Sequence, residues 1–192
     1  MENSIQVFIT GGTFDKSYNY IEGNLFFEKT HLPEMLKRSR CQLNTKVETL
    51  MMLDSLEMTE ENLEHIIMAC KNTPSNRIVI THGTDRMAQT AAALAKAQIK
   101  DKTILLTGAM IPYAFGSSSD GFFNLGCALA FAQTLVPDVY ITMQGQYFLW
   151  NKVKKNKITK SYNSDNEQKM SKAKIKEFLR SNNFLYKVSG VC

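Results

Sequence analysis

The strongest constraint on this chain is that strand-length apolar runs alternate with segments of helical period. Five runs, "IQVFIT" (5–10), "KVETLMML" (46–53), "RIVIT" (77–81), "TILLT" (103–107) and "VYITM" (139–143), are β-branched or apolar and short enough for strands. Between them lie "HLPEMLKRSR", "TEENLEHIIMACKN", "DRMAQTAAALAKAQ" and "DGFFNLGCALAFAQTL". In the second of these, Thr59 is a candidate N-cap with Glu60 and Glu61 in the first turn. Leu63, Ile66, Ile67 and Cys70 then fall on one helical face.

Strands that are apolar throughout have no face to give to water, so helices must cover both sides of their sheet. The pattern predicts an α/β fold, a doubly wound parallel sheet of three layers in the flavodoxin or Rossmann manner. At 192 residues, with 44% hydrophobic and 21% charged residues, the chain suits one well-buried domain. "YNYIEGNLFFE" (18–28) reads as two extended arms around Glu22-Gly23-Asn24, a flap hairpin projecting from the strand ends. A weak linker candidate, "KSYNSDNEQK" (160–169), precedes a last helical pattern, "SKAKIKEFLRS". The expected division is therefore one domain over 1–156 and a basic extension with one helix over 157–192.

Charge and cysteine usage narrow the function classes. Residues 1–150 hold 12 Lys/Arg against 15 Asp/Glu, whereas residues 151–192 hold 11 against 3. A nucleic-acid surface would interleave aromatics with such lysines; here they do not alternate, and the tail reads as a solvated lysine-rich helix. No apolar run approaches the roughly 20 residues of a membrane span. The start, "MENSIQVFIT", has no basic region before its apolar stretch, so no signal peptide is expected. Cys41, Cys70, Cys127 and Cys192 show no CxxC spacing and are expected as free thiols in a reducing cytoplasm, with no zinc site.

In a doubly wound sheet the ligand lies beyond the carboxyl ends of the strands. Each of the first four strands here ends in a hydroxyl-bearing turn: "TGGTFD", "LDSLEMT", "THGTDR" and "TGAMIPYAFGSSSDG". Gly11-Gly12 allows close backbone approach to a ligand and supplies N–H groups to an oxyanion. Neither GxxxxGK[ST] nor GxGxxG is present, which argues against a nucleotide. Thr13 and Thr84 sit in matching GGT and HGT turns beside Asp85. A threonine nucleophile needs a base. His82 is one candidate, although a histidine at that position more often orders the turn. A desolvated lysine is the other, and Lys152, Lys154 and Lys155 all follow the fifth strand. Strand alternation would send Val153 and Lys155 to one face and Lys154 to the other.

As a set, "ITGGTFD", "DSLEMT", "VITHGTDRM", "LTGAMIP…SSDGFFNLG" and "VYITMQGQYFLWNKVKKN" resemble the N-terminal domain of the bacterial type L-asparaginase family, over residues 5–156 or so. The resemblance implies an amidohydrolase that converts asparagine or a related carboxamide to a carboxylate and ammonia, without metal or cofactor. It implies Thr13 as nucleophile, helped by a flap tyrosine, with Tyr18 preferred to Tyr20. It implies Ser55 as receptor of the substrate α-carboxylate, Asp85 as receptor of the α-ammonium, and Thr84 with Lys155 as the rest of a Thr–Lys–Asp group. Gly12, Asp54, Gly83 and Ala109 complete the implied substrate-binding set. A homodimer or homotetramer is expected, because a site without the second domain needs a neighbour to complete and cover it; the expected partner is a small-molecule amide, and the composition argues against membrane and nucleic acid. Three features depart from the family pattern: Arg86 follows Asp85 where threonine is usual, "MQGQ" replaces a more common Asn-Gly or Asn-Asp, and Leu56 fills a position that is often polar. Typical members are longer by a second domain that gives a carboxylate to a neighbour's site, and this chain is expected to have none. A weak amino-acid or amide binder, or a component of an amidotransferase assembly, are the alternative expectations.

Overall fold

The structure is a computed structural model describing residues 4–156 and 159–164. The helical pattern at 171–181 and Cys192 lie outside the described residues. In chain order the elements are β1 (Ile5–Gly11), β2 (Lys16–Asn19), β3 (Asn24–Phe27), α1 (Leu32–Arg38), β4 (Thr45–Leu53), α2 (Glu60–Asn72), β5 (Arg77–Thr81), α3 (Met87–Lys96), β6 (Thr103–Thr107), α4 (Gly121–Thr134), β7 (Val139–Met143), β8 (Gln146–Leu149), β9 (Val153–Lys155) and β10 (Tyr162–Ser164). Short 3-10 turns cover Thr13–Asp15 and Tyr113–Ser118.

The main sheet runs β4-β1-β5-β6-β7-β8. Its first five strands are parallel and β8 returns antiparallel to β7, so the expected doubly wound sheet is present with one added edge strand. Period-two alternation distributes each central strand between two cores. Phe8, Ile78, Ile80, Ile104, Leu106 and Ile141 face one core with Ile66, Ile67, Ala91 and Leu94 of α2 and α3. Val7, Ile9, Val79, Leu105 and Tyr140 face the other, with Leu32 and Met35 of α1 and Leu125, Ala128 and Leu129 of α4. The result is helix, sheet, helix in three layers.

Thr59 caps α2 through a reciprocal pair with Asn62, and the expected face buries Ile66, Ile67 and Cys70. Three local readings need correction. β4 is an edge strand and is largely exposed rather than sandwiched, because "TKVET" alternates polar residues and only one neighbour pairs with it. α3 starts at Met87, so Asp85 stands in the preceding turn and not in the helix. The linker candidate contains β10, which pairs antiparallel with β9 in the register Tyr162↔Lys155. β8 was not among the expected strands. Gln144 and Gly145, at φ 57° and 78°, form the two-residue turn that reverses the chain into it. The flap hairpin begins at Lys16, two residues before the expected start, and pairs Tyr18 with Leu25.

Candidate active site at the strand ends

The polar turns after β1, β4, β5 and β6 meet at the carboxyl end of the sheet. Their approach is closer than side chains would allow. A Cβ on Gly12, whose φ is 77°, would lie 2.4 Å from Gly83 N. A Cβ on Gly83 would lie 2.5 Å from Ser55 Oγ. The two glycines thus set the GGT turn against the HGT turn, and the HGT turn against Ser55. The Gly12 N–H donates to Leu53 O at 2.8 Å, which ties the same turn to the end of β4.

Three of the implied residues touch directly. Lys155 Nζ donates to Thr84 Oγ1 at 2.7 Å and to Asp85 Oδ1 at 2.8 Å. Along β9, Val153 is buried, Lys154 exposed and Lys155 half-buried, as the alternation requires. Thr84 is buried, Asp85 is half exposed, and Lys155 bridges them across 71 positions of sequence. Since Lys155 donates to Thr84 Oγ1, the threonine's own proton is free to point elsewhere.

Asp54 and Ser55 lie on the adjoining turn. Ser55 is buried and its Oγ accepts from the Arg86 N–H at 3.4 Å, while Arg86 Nη1 donates to Met58 O at 3.0 Å. Arg86, foreign to the family pattern, thereby holds the start of α3 against the Ser55 turn. Lys16 Nζ pairs with Asp54 Oδ2 at 2.6 Å. Burial pushes the Asp54 carboxyl up, but the Lys16 contact, the Leu56 N–H and the charges of Lys16 and Lys155 outweigh it and hold it below the usual carboxylate range. Thr13 is half-buried in the 3-10 turn after Gly12. Tyr18, 54% exposed, stands on the body of the hairpin with its ring edge against Phe115, whereas Tyr20 lies at the tip and is 84% exposed. Ala109 is fully buried in the core, backbone included, so the structure does not open this implied substrate-binding position to a ligand.

His82 has both ring nitrogens engaged within the fold. It is wholly buried, its Nδ1 donates to Gly83 O at 2.8 Å, and its Nε2 accepts from the Thr90 hydroxyl at 2.9 Å. Burial pushes its pKa down to about 4, against a smaller rise from the Gly83 contact. It is a neutral brace under the HGT turn.

The supporting residues were not evident from sequence. Tyr162, on β10, donates its hydroxyl to Thr84 O at 2.7 Å. Burial, reinforced by the charge of Asp85, pushes its phenol well above the ordinary range, so it stays a donor. Its N–H donates to Gln144 Oε1, and the Gln144 N–H donates to Asn124 Oδ1. Asn124, fully buried in α4, donates in turn to Gly108 O and to Asp120, whose carboxylate accepts the Met110 and Ile111 N–H groups. This chain of bonds spans the turn after β6, the turn after β7 and the β9–β10 pair. The "QG" turn signal and the asparagine on an otherwise apolar helix face were its available traces in sequence. Among the described residues no group of three His, Cys, Asp or Glu side chains could hold a metal, and no helix is long and apolar enough to cross a membrane.

Comparison with known proteins bears on the same turns. L-asparaginase 1 of Escherichia coli K12 is 35% identical over 136 residues, which cover 67% of this chain and 40% of that protein. A glutamyl-tRNA(Gln) amidotransferase component of Pyrococcus abyssi is 29% identical over 71% of this chain and 32% of its own length. Among solved structures, the thermostable L-asparaginase from Thermococcus kodakarensis superposes with a TM-score of 0.69 at 27% identity, covering 84% of this chain and 51% of that one. L-asparaginase I from Vibrio cholerae gives 0.73 at 23% identity, a likeness of fold, over 85% and 52%. The chain thus spans about half the length, or less, of these relatives. The family model "Asparaginase, N-terminal" matches residues 4–183. By that match, and by the turns it contains, the chain belongs to the asparaginase family through that family's N-terminal domain.

Proposed function

We propose that the strand-end cluster is the active site of an asparaginase-type amidohydrolase, acting on L-asparagine or a related carboxamide. The observation that carries this reading is Lys155 donating at once to Thr84 and Asp85, beside the Gly12–Thr13 turn. Thr13 Oγ1 attacks the amide carbon, its proton passes through a neighbouring hydroxyl to the amide nitrogen, and ammonia departs as the acyl ester forms. Water then attacks the ester, releasing the carboxylate and restoring the hydroxyl. Tyr18 serves as the flap tyrosine, backbone N–H groups near Gly12 and Thr84 stabilise the oxyanion, and Asp85 and Ser55 hold the amino-acid head. The relatives named for asparaginase activity support the substrate class.

The protein works as a homodimer or homotetramer in the cytoplasm, a location supported by the free thiols of Cys41, Cys70 and Cys127. A second reading, a component of an amidotransferase, is supported by the similarity to the Pyrococcus amidotransferase component. Ammonia release from asparagine and from glutamine separates the two. The first reading expects asparagine turnover by the protein alone, and its loss in Thr13→Ala with a nearly unchanged melting temperature. Turnover of glutamine only, or wild-type rates in Thr13→Ala, would contradict it.

A further inference from the structure

Lys16 occupies a place that the amidohydrolase reading leaves unused. It is the first residue of β2, three positions after Thr13, and its backbone N–H donates to Thr13 O. Its side chain turns back toward the neighbouring strand end and reaches Asp54 Oδ2 at 2.6 Å, immediately before Ser55 in sequence. Neither partner is sealed off: the two side chains are 18% and 30% exposed. Asp54 also feels the positive charge of Lys155, so the Lys16–Asp54 and Lys155–Asp85 pairs share one electrostatic field.

Beside Ser55, the Arg86 N–H is already given to Ser55 Oγ and Arg86 Nη1 to Met58 O. Leu56, 59% exposed, offers no donor from its side chain, and its N–H already donates to Asp54 Oδ1. Ser55 can donate one hydroxyl proton. A carboxylate carries about four lone-pair positions and binds tightly only where charged donors meet it. An ammonium has three N–H groups, and the contact with Asp54 uses one. Resting on the amidohydrolase reading, we propose that Lys16 is the carboxylate anchor of this site. The α-carboxylate of the substrate takes N–H donors from Lys16 and the Ser55 hydroxyl, while Asp54 keeps Lys16 aimed at it. The ammonium goes to Asp85.

A purely structural role would have Lys16–Asp54 stitch the hairpin base to the 54–59 turn and no more. Calorimetric titration with L-aspartate and with its α-amide, in which that carboxylate is blocked, separates the two roles without requiring turnover. The wild type is expected to prefer aspartate by about tenfold to a hundredfold. Lys16→Met should lose that factor for aspartate and little for the α-amide, so the preference disappears, while Lys16→Arg keeps most of it. Asp54→Asn, which keeps the ammonium but removes the charge that aims it, should weaken the preference by less than Lys16→Met does. Equal losses for both ligands in Lys16→Met, or a preference that survives in it, would overturn the assignment of Lys16 alone. A wild type that binds no aspartate at all would overturn the amidohydrolase reading and this proposal with it.

Discussion

The histidine beneath the HGT turn shows what one residue's surroundings decide. From sequence His82 could be read as a base or as a turn-ordering group, because nothing local says which atoms surround its ring. The fold answers by burying it completely between Gly83 O and Thr90 Oγ1. Its pKa falls to about 4 from an ordinary 6.5. Between those values the unfolded chain takes a proton that the folded state refuses, so stability falls as pH drops through that window. The loss reaches about 3 kcal/mol at the acid end. Thermal unfolding of wild type and His82→Asn between pH 7 and 4.5 should show a shallower acid slope in the variant. Parallel slopes would mean that the ring is not held neutral. Lys155, by contrast, was legible: the resemblance named it, alternation set it on the face opposite Lys154, and the structure brings it to Thr84.

The central strands were legible as elements because each is a bounded apolar run, and four helices because their buried residues recur at 3.6. What sequence missed are short pieces stabilised by partners far along the chain. β10 has three residues and lies in a polar stretch, and its place is fixed by pairing with β9 and by Tyr162 reaching Thr84. Tyr162→Phe should leave the sheet intact and cost about 1–2 kcal/mol, since the Thr84 carbonyl loses its donor. Turnover should fall more than tenfold through kcat, with KM little changed, if the Thr84 turn depends on that bond; wild-type kcat would show that it does not. The hairpin of β2 and β3 has a similar clasp at its base. The buried Asp15 accepts from Thr30 Oγ1 at 3.0 Å and from the His31 N–H at 2.9 Å, while its Oδ2 has no partner among the described residues. Burial, partly offset by those bonds, raises its pKa. An amide carries the same acceptor without the charge, so Asp15→Asn should hold or gain stability. Asp15→Ala should lose about 1–3 kcal/mol and expose residues 16–27 to limited proteolysis. Equal destabilisation by both would show that the ionised carboxylate is required.

Across the whole molecule, three layers place five parallel strand ends at one edge, and the functional turns follow from that topology. The order β4-β1-β5-β6-β7 puts the GGT turn between the Ser55 turn and the HGT turn, so residues more than 70 positions apart become neighbours. Sequence could name these turns but not their spacing, which depends on the glycine contacts at 12 and 83. The central claim is that this edge binds an amino-acid amide between Lys155–Thr84–Asp85 and Ser55. A crystal structure of Thr13→Ala soaked with L-asparagine tests it most directly. The account predicts asparagine at the strand ends, its ammonium within hydrogen-bonding distance of Asp85, its α-carboxylate at Ser55 and its side-chain amide carbon facing position 13. Asparagine bound elsewhere, or an empty edge at saturating concentration, would contradict it.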